Sequence, residues 1–259
     1  CKELGVGGGE VALVPLGGLG EIGLNCMALV SGGGILLIDC GVTFPRKPNF
    51  GVDVVLPRLS FLEKNHKEVL GVFVTHGHED HFGALPYLLK HVDCPVYATP
   101  FAAALIERRL AERGPQRAVK INLITPGVPV HLGPYSVEPV HVNHSVPQAC
   151  GLAINTSVGT LVHTGDFKIE VDPADENPAD LGRFTALGEE GVRCLLSDST
   201  NVFERGHSLG EFSVLERLRE IFAETSGKLI VTLFSSNVHR IRTLFVLAEE
   251  SGRKVRLIG

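Results

Sequence analysis

The segment Val72-Phe73-Val74-Thr75-His76-Gly77-His78-Glu79-Asp80-His81 decides the fold, because an apolar run ends there at a cluster of three imidazoles and two carboxylates. Leu70 to Thr75 is uncharged and rich in β-branched residues, which predicts a short buried strand. Phe82 to Leu89 has the pattern of the first turns of an amphipathic helix. We therefore expect the polar cluster on a turn that joins a strand to a helix.

The spacing within this turn predicts a site for two metal ions. One small residue separates His76 from His78, so both side chains can point at one position, while Asp80 and His81 can point at a neighbouring position. Zinc binds neutral imidazole and carboxylate at about 2.0 to 2.2 Å, and the ions of hydrolytic metal pairs lie roughly 3.5 to 4 Å apart. A lone histidine in a polar loop is usually only solvated, but four ligand-type side chains within six positions favour a metal site.

The segment His76 to His81 matches the pattern H-x-H-x-D-H, and through this motif the chain resembles the metallo-β-lactamase superfamily. The resemblance implies that His144, in His144-Ser145-Val146-Pro147, is the ligand of the third motif. His141 also follows an apolar strand, but we interpret it as a packed or solvated histidine.

Two aspartates follow buried strands and complete the expected site. Asp166 comes directly after a glycine, and a carboxylate there can bridge two cations, although a surface turn is the alternative. Asp39 follows the run Leu37-Ile38, and the superfamily resemblance implies that it supports the metal ligands from behind. A turn-forming aspartate is the alternative interpretation of Asp39.

The glycine-rich segment Gly17 to Gly23 contains G-x-G-x-x-G, which can indicate a dinucleotide site. That motif requires a helix immediately after the glycines. Here Asn25 to Val30 and Ile35 to Ile38 instead predict two strands joined as a hairpin. We therefore do not expect a nucleotide cofactor at this segment.

The composition is ordinary for a globular protein, with 259 residues of which 44% are hydrophobic and 20% charged. The longest apolar runs are far shorter than the roughly 20 residues that cross a bilayer, so no membrane partner and a cytoplasmic location are expected. The six cysteines are scattered and are interpreted as small buried residues. A net charge of −5 argues weakly against a nucleic-acid partner, but two divalent ions would offset most of it.

The order of predicted elements indicates two domains, residues 1–195 and residues 196–259. Repeated short strands with polar groups at their ends fit an α/β fold, a four-layer αββα sandwich whose strand set is incomplete. Beyond Leu195 the predicted elements alternate: a helix at Phe212 to Glu224, a strand at Leu229 to Phe234, a helix at Val238 to Glu250 and a strand at Val255 to Ile258. Such alternation predicts a parallel sheet.

Four further segments resemble the ribonuclease J family, the bacterial and archaeal branch of the β-CASP nucleases. They are Gly17 to Gly23, His163 to Lys168, Leu196 to Asn201 and Ser235 to Arg240. The resemblance extends from about Val11 to Gly259 and implies that residues 196–259 begin a β-CASP domain.

This resemblance implies hydrolysis of RNA phosphodiester bonds, with 5′-to-3′ exonuclease and endonuclease action in RNA processing and decay. The expected cofactor is two zinc ions per chain, with manganese as the alternative, and they would generate hydroxide near neutral pH. Asp80 and Asp166 would serve catalysis as metal-binding carboxylates, and Asp198 would orient a later histidine. RNA with a 5′-monophosphate is the expected partner. Formation of a homo-oligomer by the full-length protein is left as an open alternative.

Four residues are candidates for contact with RNA. Phe44 follows the first aspartate motif and could stack on a base, although a buried loop phenylalanine is an equal alternative. Ser236, Asn237 and His239 lie where a strand is predicted to end and a helix to begin, which presents backbone N–H groups to an anion. An ordinary helix N-cap explains Ser236 or Asn237 as well.

The chain also departs from the ribonuclease J family, whose members continue well beyond 259 residues and carry a further metal-binding histidine. We therefore expect an N-terminal fragment with little or no nuclease activity by itself. Two other functions stay open: a hydrolase of a small thioester or lactone with the same metal site, and an inactive scaffold. A scaffold would be expected to lose ligands, and all six expected ligands are present.

Overall fold

The computed structural model describes residues 5–7, 9–45, 51–170, 173, 177–206 and 210–258. This part of the chain contains eleven strands and seven α-helices. They are β1 (Val11–Gly17), β2 (Cys26–Ser31), β3 (Gly34–Ile38), α1 (Ser60–Lys64), β4 (Val69–Val74), α2 (Glu79–Phe82), α3 (Leu85–Leu88), β5 (Val96–Ala98), α4 (Pro100–Arg113), β6 (Ile121–Leu123), β7 (Val130–Leu132), β8 (Tyr135–His141), β9 (Cys150–Thr156), β10 (Gly159–His163), α5 (Leu181–Glu190), β11 (Val192–Leu196), α6 (Glu211–Glu224) and α7 (Val238–Glu250). No helix in these ranges is both long enough and apolar enough to cross a membrane.

The first sheet has the strand order β1-β2-β3-β4-β5-β6. Strands β1 to β3 are antiparallel, and β3 to β6 run parallel. The predicted hairpin is confirmed, since Met27 pairs with Ile38 and Ser31 with Gly34. The segment Gly17 to Gly23 therefore leads into a strand, and the helix that a dinucleotide motif needs is not formed there.

The second sheet has the order β11-β10-β9-β8-β7 and is antiparallel except between β10 and β11. The parallel pair is joined through α5, as expected for a crossover between parallel strands. Because β8 and β10 are both antiparallel to β9, they point in the same direction and end at the same edge of the sheet.

The two sheets pack face to face around one apolar core. In β3, Leu36 and Ile38 face the second sheet, whereas Ile35 and Leu37 face the helices on the other side. Successive strand residues point to opposite faces, so a strand buried on both faces is apolar throughout. The Tyr135 hydroxyl crosses between the sheets and donates to the carbonyl oxygens of Leu29 and Gly34, at 2.9 and 3.0 Å.

Helices cover the outer face of each sheet. Leu85 and Leu88 of α3 and Ile106 of α4 pack on the first sheet. Leu187 of α5 packs on the second sheet, against Val140, Ala153 and Val162. The predicted four-layer αββα arrangement is confirmed.

Two local predictions differ from the structure. The helix expected from Phe82 to Leu89 is broken into α2 and α3, because the Ala84 N–H donates to the Cys40 carbonyl at 2.9 Å instead of continuing α2. Helix α5 was not predicted. Its signals were Asp180, whose side chain accepts a hydrogen bond from the Arg183 N–H, and the apolar spacing of Leu181, Phe184 and Leu187.

Helices α6 and α7 confirm the two helices predicted after residue 195. They pack on each other through a separate apolar cluster that contains Phe222, Leu247 and Ala248. The strands predicted at Leu229 to Phe234 and Val255 to Ile258 are wrong, since none of the described residues pairs with either segment as a neighbouring strand. A strand needs such a neighbour for its backbone hydrogen bonds, so sequence pattern alone does not produce a sheet.

Candidate metal centre

The six predicted ligands converge at one edge of the sandwich. His76 and His78 follow β4, Asp80 and His81 lie in α2, and one ligand follows each of β8 and β10, namely His144 and Asp166. The edges of the two sheets are joined there, because the Cys150 N–H of β9 donates to the Thr75 carbonyl at 3.0 Å. Side chains far apart in the sequence are thereby brought together.

Their donor atoms form two groups. The first contains His76, His78, His144 and Asp166, and the second contains Asp80, His81 and Asp166, with the atoms of each group within 4.8 Å of one another. In the first group, His78 Nδ1 lies 3.0 Å from His76 Nε2 and 3.2 Å from His144 Nε2. Ligand atoms about 2.0 to 2.1 Å from a tetrahedral zinc ion lie about 3.3 to 3.4 Å apart, so these spacings suit a common cation.

Asp166 belongs to both groups, and its two oxygens face different partners. Oδ1 lies 3.4 Å from His81 Nε2, and Oδ2 lies 3.8 Å from His144 Nε2. Asp80 Oδ2 lies 3.6 Å from the same Nε2 atom of His81. This arrangement allows one carboxylate to bridge two cations.

Asp39 holds His81 from behind. The buried carboxylate accepts hydrogen bonds from the Thr75 N–H at 2.8 Å, from the Thr75 hydroxyl at 3.0 Å and from His81 Nδ1 at 2.8 Å. The Nε2 atom of His81 is thereby directed at the second group. Asp39 has a φ of +57°, a left-handed conformation that most non-glycine residues seldom adopt and that aspartate tolerates in turns.

Burial sets the charge of the first group. Loss of solvent lowers the pKa of His144 to about 4, although Asp166 opposes the shift. Burial also lowers the pKa of His76 well below its usual value, and it lowers the pKa of His78 despite the nearby Asp80. Neutral imidazoles keep the lone pair that a metal ion requires, so this group fits a divalent cation at neutral pH.

The second group has a different charge state. Burial alone would lower the pKa of His81, but Asp39 and Asp166 together raise it well above its usual value. Burial likewise opposes ionisation of Asp166, yet the hydrogen bond and charge of His81 lower the pKa of its carboxyl to about 2. The donor set fits a cation here too, and binding it requires release of the proton from His81.

A model of the metallo-beta-lactamase superfamily matches residues 19–220, which include all six side chains. The chain belongs to the metallo-β-lactamase superfamily. A solved structure, a protein of unknown function from Enterococcus faecalis V583, has the same fold, with a TM-score of 0.68 at 17% identity over 95% of this chain and 69% of that chain.

Curated relatives from several bacteria carry the name ribonuclease J. The chain is 43% identical over 255 residues to the protein of Sinorhizobium meliloti, covering 96% of this chain and 45% of the relative. It is 39% identical over 251 residues to the protein of Helicobacter pylori strain J99, covering 96% of this chain and 36% of the relative. It is 35% identical over 257 residues to the protein of Thermus thermophilus, covering 96% of this chain and 45% of the relative. The predicted resemblance is confirmed, and the chain spans less than half the length of these relatives.

Asn25 contacts the superfamily motif, although it was predicted only as the start of a strand. Its backbone N–H donates to the Asp80 carbonyl at 3.0 Å, and its side-chain amide lies 3.0 Å from His81 Nε2. The signal for this residue was its position, directly between the glycine-rich segment and a buried strand.

Asp198 and Phe44 lie outside both donor groups. The Asp198 carboxylate accepts from the Thr200 N–H at 2.8 Å, and its backbone N–H donates to the Thr164 hydroxyl at 3.0 Å. Phe44 is 61% exposed and lines a cavity of about 230 Å³ together with Tyr87. The alternative of a buried loop phenylalanine is therefore wrong.

The three residues predicted at the start of α7 are placed differently from one another. Burial lowers the pKa of His78, and a hydrogen bond with the Ser236 backbone opposes this larger effect slightly, so this segment lies near the metal-binding turn. Asn237 caps α7, because its side chain accepts from the Arg240 N–H at 3.1 Å. His239 is half-buried in the first turn of α7 and belongs to neither donor group.

Proposed function

We propose that this chain is the metal-binding part of a zinc-dependent ribonuclease that hydrolyses RNA phosphodiester bonds. The observation that carries the proposal is the pair of donor groups that share Asp166. The relatives named ribonuclease J support RNA as the substrate. Two zinc ions per chain are proposed, with manganese as the alternative.

Each side chain has a defined part in this proposal. His76, His78 and His144 would hold one ion, Asp80 and His81 would hold the other, and Asp166, which belongs to both groups, would serve both. When bound, such ions lower the pKa of water and offset the charge that develops on a phosphoryl group. Asp39 fixes the orientation of His81 through the 2.8 Å hydrogen bond to Nδ1.

The proposed substrate is 5′-monophosphorylated RNA, cut by 5′-to-3′ exonuclease and endonuclease action. The exposed ring of Phe44 offers a surface on which a base can stack. Ser236, Asn237 and His239 are proposed to contact the RNA backbone, because the contact of Ser236 with His78 places this segment beside the donor groups. Asp198 is proposed to act in catalysis by orienting a later histidine. Its backbone N–H donates to the hydroxyl of Thr164, two residues before Asp166, which supports this role.

We also propose that residues 196–259 begin a second domain of the β-CASP type. Supporting this boundary, α6 and α7 share an apolar cluster of their own. Ion pairs join these helices to the segment after Asp166. Glu211 Oε1 of α6 lies 2.7 Å from Arg240 Nη2 of α7 and 3.6 Å from Lys168 Nζ.

The test is the zinc content of the purified chain and of two variants. The wild type is expected to hold two zinc ions, and Asp166→Ala is expected to hold fewer. His141→Ala is the matched control. His141 is the last residue of β8, the strand that precedes His144, but its Nε2 atom lies 3.0 Å from the Asn177 carbonyl oxygen and belongs to neither donor group. A folded wild-type chain without bound metal would overturn the proposal.

The substrate class is tested separately. A 5′-monophosphorylated RNA and a small thioester are each offered to the zinc-loaded chain, and binding and cleavage of both are measured. The proposal expects a response with RNA alone. A response with the thioester alone would show a small-molecule hydrolase instead.

A further inference from the structure

Helix α4 contacts the metal-binding turn through one row of side chains. Phe101, Leu105 and Arg109 follow one another at intervals of four and so lie on the same side of the helix. A Cβ atom on Gly77 would lie 2.9 Å from Leu105 Cδ1 and 3.3 Å from the Phe101 ring, so both apolar side chains touch the turn at Gly77, the first x of the H-x-H-x-D-H motif. Glu79, the second x of the motif, forms an ion pair with Arg109.

The same helix begins against the loop that carries His144. The Phe101 N–H, which has no partner within the helix, donates to Gln148 Oε1 at 2.8 Å. Gln148 lies four residues after His144, so this bond connects α4 to the loop that carries that ligand. One rigid element therefore supports two segments that carry ligands.

Helix α2, which carries Asp80 and His81, is a single turn and cannot hold its own position. Its backbone carbonyls accept hydrogen bonds from N–H groups of neighbouring loops. The Val42 N–H donates to the Glu79 carbonyl at 3.1 Å, the Asn25 N–H to the Asp80 carbonyl at 3.0 Å and the Cys40 N–H to the His81 carbonyl at 2.7 Å. The ion pair with Arg109 adds a side-chain contact from the opposite element, α4. The position of Asp80 and His81 relative to Asp166 therefore depends in part on Arg109.

The charge of Glu79 leads to the same conclusion. Of the polar residues from His76 to His81, Glu79 is the one that belongs to neither donor group. Its carboxylate is next to Asp80 in the sequence and would otherwise compete for a cation. The partly buried Arg109 holds it away from the donor groups, and Arg109 has a second, weaker carboxylate contact of 3.3 Å with Glu112.

We propose that Arg109 is a positioning residue for the metal centre, acting through Glu79 on the Asp80, His81 and Asp166 group. This inference rests on the proposed binding of two metal ions. His76 and His144 lie outside α2, and His78 only caps its first turn, whereas Asp80 and His81 both lie within it. Loss of the ion pair is therefore expected to affect mainly the Asp80, His81 and Asp166 group.

The test is calorimetric titration of the metal-free chain with zinc alone, on wild type, Arg109→Met and Arg108→Met. Methionine keeps most of the apolar stem and removes the charge. In Arg109→Met, the affinity for one of the two ions is expected to fall about tenfold, at the low end for residues that support ligands, while the other ion binds as in wild type. Arg108 is the matched control, since its side chain is 83% exposed and pairs with Glu112 alone among the described carboxylates, without a contact to Glu79.

Arg109→Lys separates charge from shape and is expected to bind the second ion more tightly than Arg109→Met. The urea midpoint of the metal-free Arg109→Met chain is expected to match that of Arg108→Met. Equal binding of both ions by wild type and Arg109→Met would overturn the inference, as would a parallel loss of both ions and of stability. A wild-type chain that binds no zinc would overturn the proposed function as well.

Discussion

Asp39 and His81 form a buried hydrogen-bonded pair in which His81 Nδ1 lies 2.8 Å from Asp39 Oδ2. The pair joins the end of β3 to α2, so it connects the core of the first sheet to the metal-binding turn. Asp39 also accepts hydrogen bonds from the backbone N–H and the hydroxyl of Thr75, which directly follows β4. One carboxylate thus fixes two neighbouring segments, and this relationship leads directly to the first prediction.

Asp39→Asn is expected to destabilise the metal-free chain by about 2 to 3 kcal/mol. The new side-chain amide would turn N–H groups towards Thr75 or His81, whose own N–H and O–H groups need an acceptor there. Hydrogen bonds to a charged group contribute about 1.5 to 3 kcal/mol to stability, and this contribution would be lost. Urea unfolding at pH 7 measures the change. Asp93→Asn is the control, because Asp93 is 83% exposed in its pair with Arg117, and a loss of similar size there would contradict the account.

Gly41→Ala is expected to abolish binding of the second metal ion, with a large loss of stability. A Cβ atom at Gly41 would lie 1.6 Å from the Asp80 carbonyl oxygen, so α2 would have to move. Gly188→Ala is the matched control, since Gly188 lies within α5 with no atom near its Cβ position. That substitution should stabilise the chain by roughly 0.5 to 1 kcal/mol in the same urea experiment.

The metal-free chain is expected to lose stability as the pH falls from about 6.5 to 4. Burial, opposed by Asp166, lowers the pKa of His144 to about 4, so between these values the unfolded chain binds a proton that the folded chain does not. The free energy of unfolding therefore rises with pH in this window, by about 3 kcal/mol for His144 alone. The pKa of His76 and of His163 is also lowered by burial, which adds in the same direction.

His81 acts in the opposite direction and in a different range. Its folded pKa is raised, so its contribution is complete below pH 6.5 and is lost as the pH rises through the folded value. Urea unfolding in the presence of a chelator, from pH 4 to 8, measures both effects. His144→Gln should flatten the acid side of the curve, whereas the exposed His66→Gln should leave it unchanged.

The sequence predicted most of the sandwich and the convergence of the six ligand-type residues. It did so because β3 and β4 are continuous apolar runs that end in polar motifs, and such runs leave little choice of structure. The break between α2 and α3 was not predictable, because it depends on the hydrogen bond from Ala84 to Cys40, which joins segments distant in the sequence. Nor were the contacts of Asn25 and Arg109, whose partners lie 55 and 30 residues away.

We propose that one carboxylate, Asp166, joins two metal ions. Anomalous diffraction at the zinc edge, from crystals of the zinc-loaded chain, would show this bridge. The account predicts two peaks roughly 3.5 to 4 Å apart, one beside His76, His78 and His144, the other beside Asp80 and His81, with Asp166 between them. A single peak, or two peaks of which one lies away from Asp166, would contradict it.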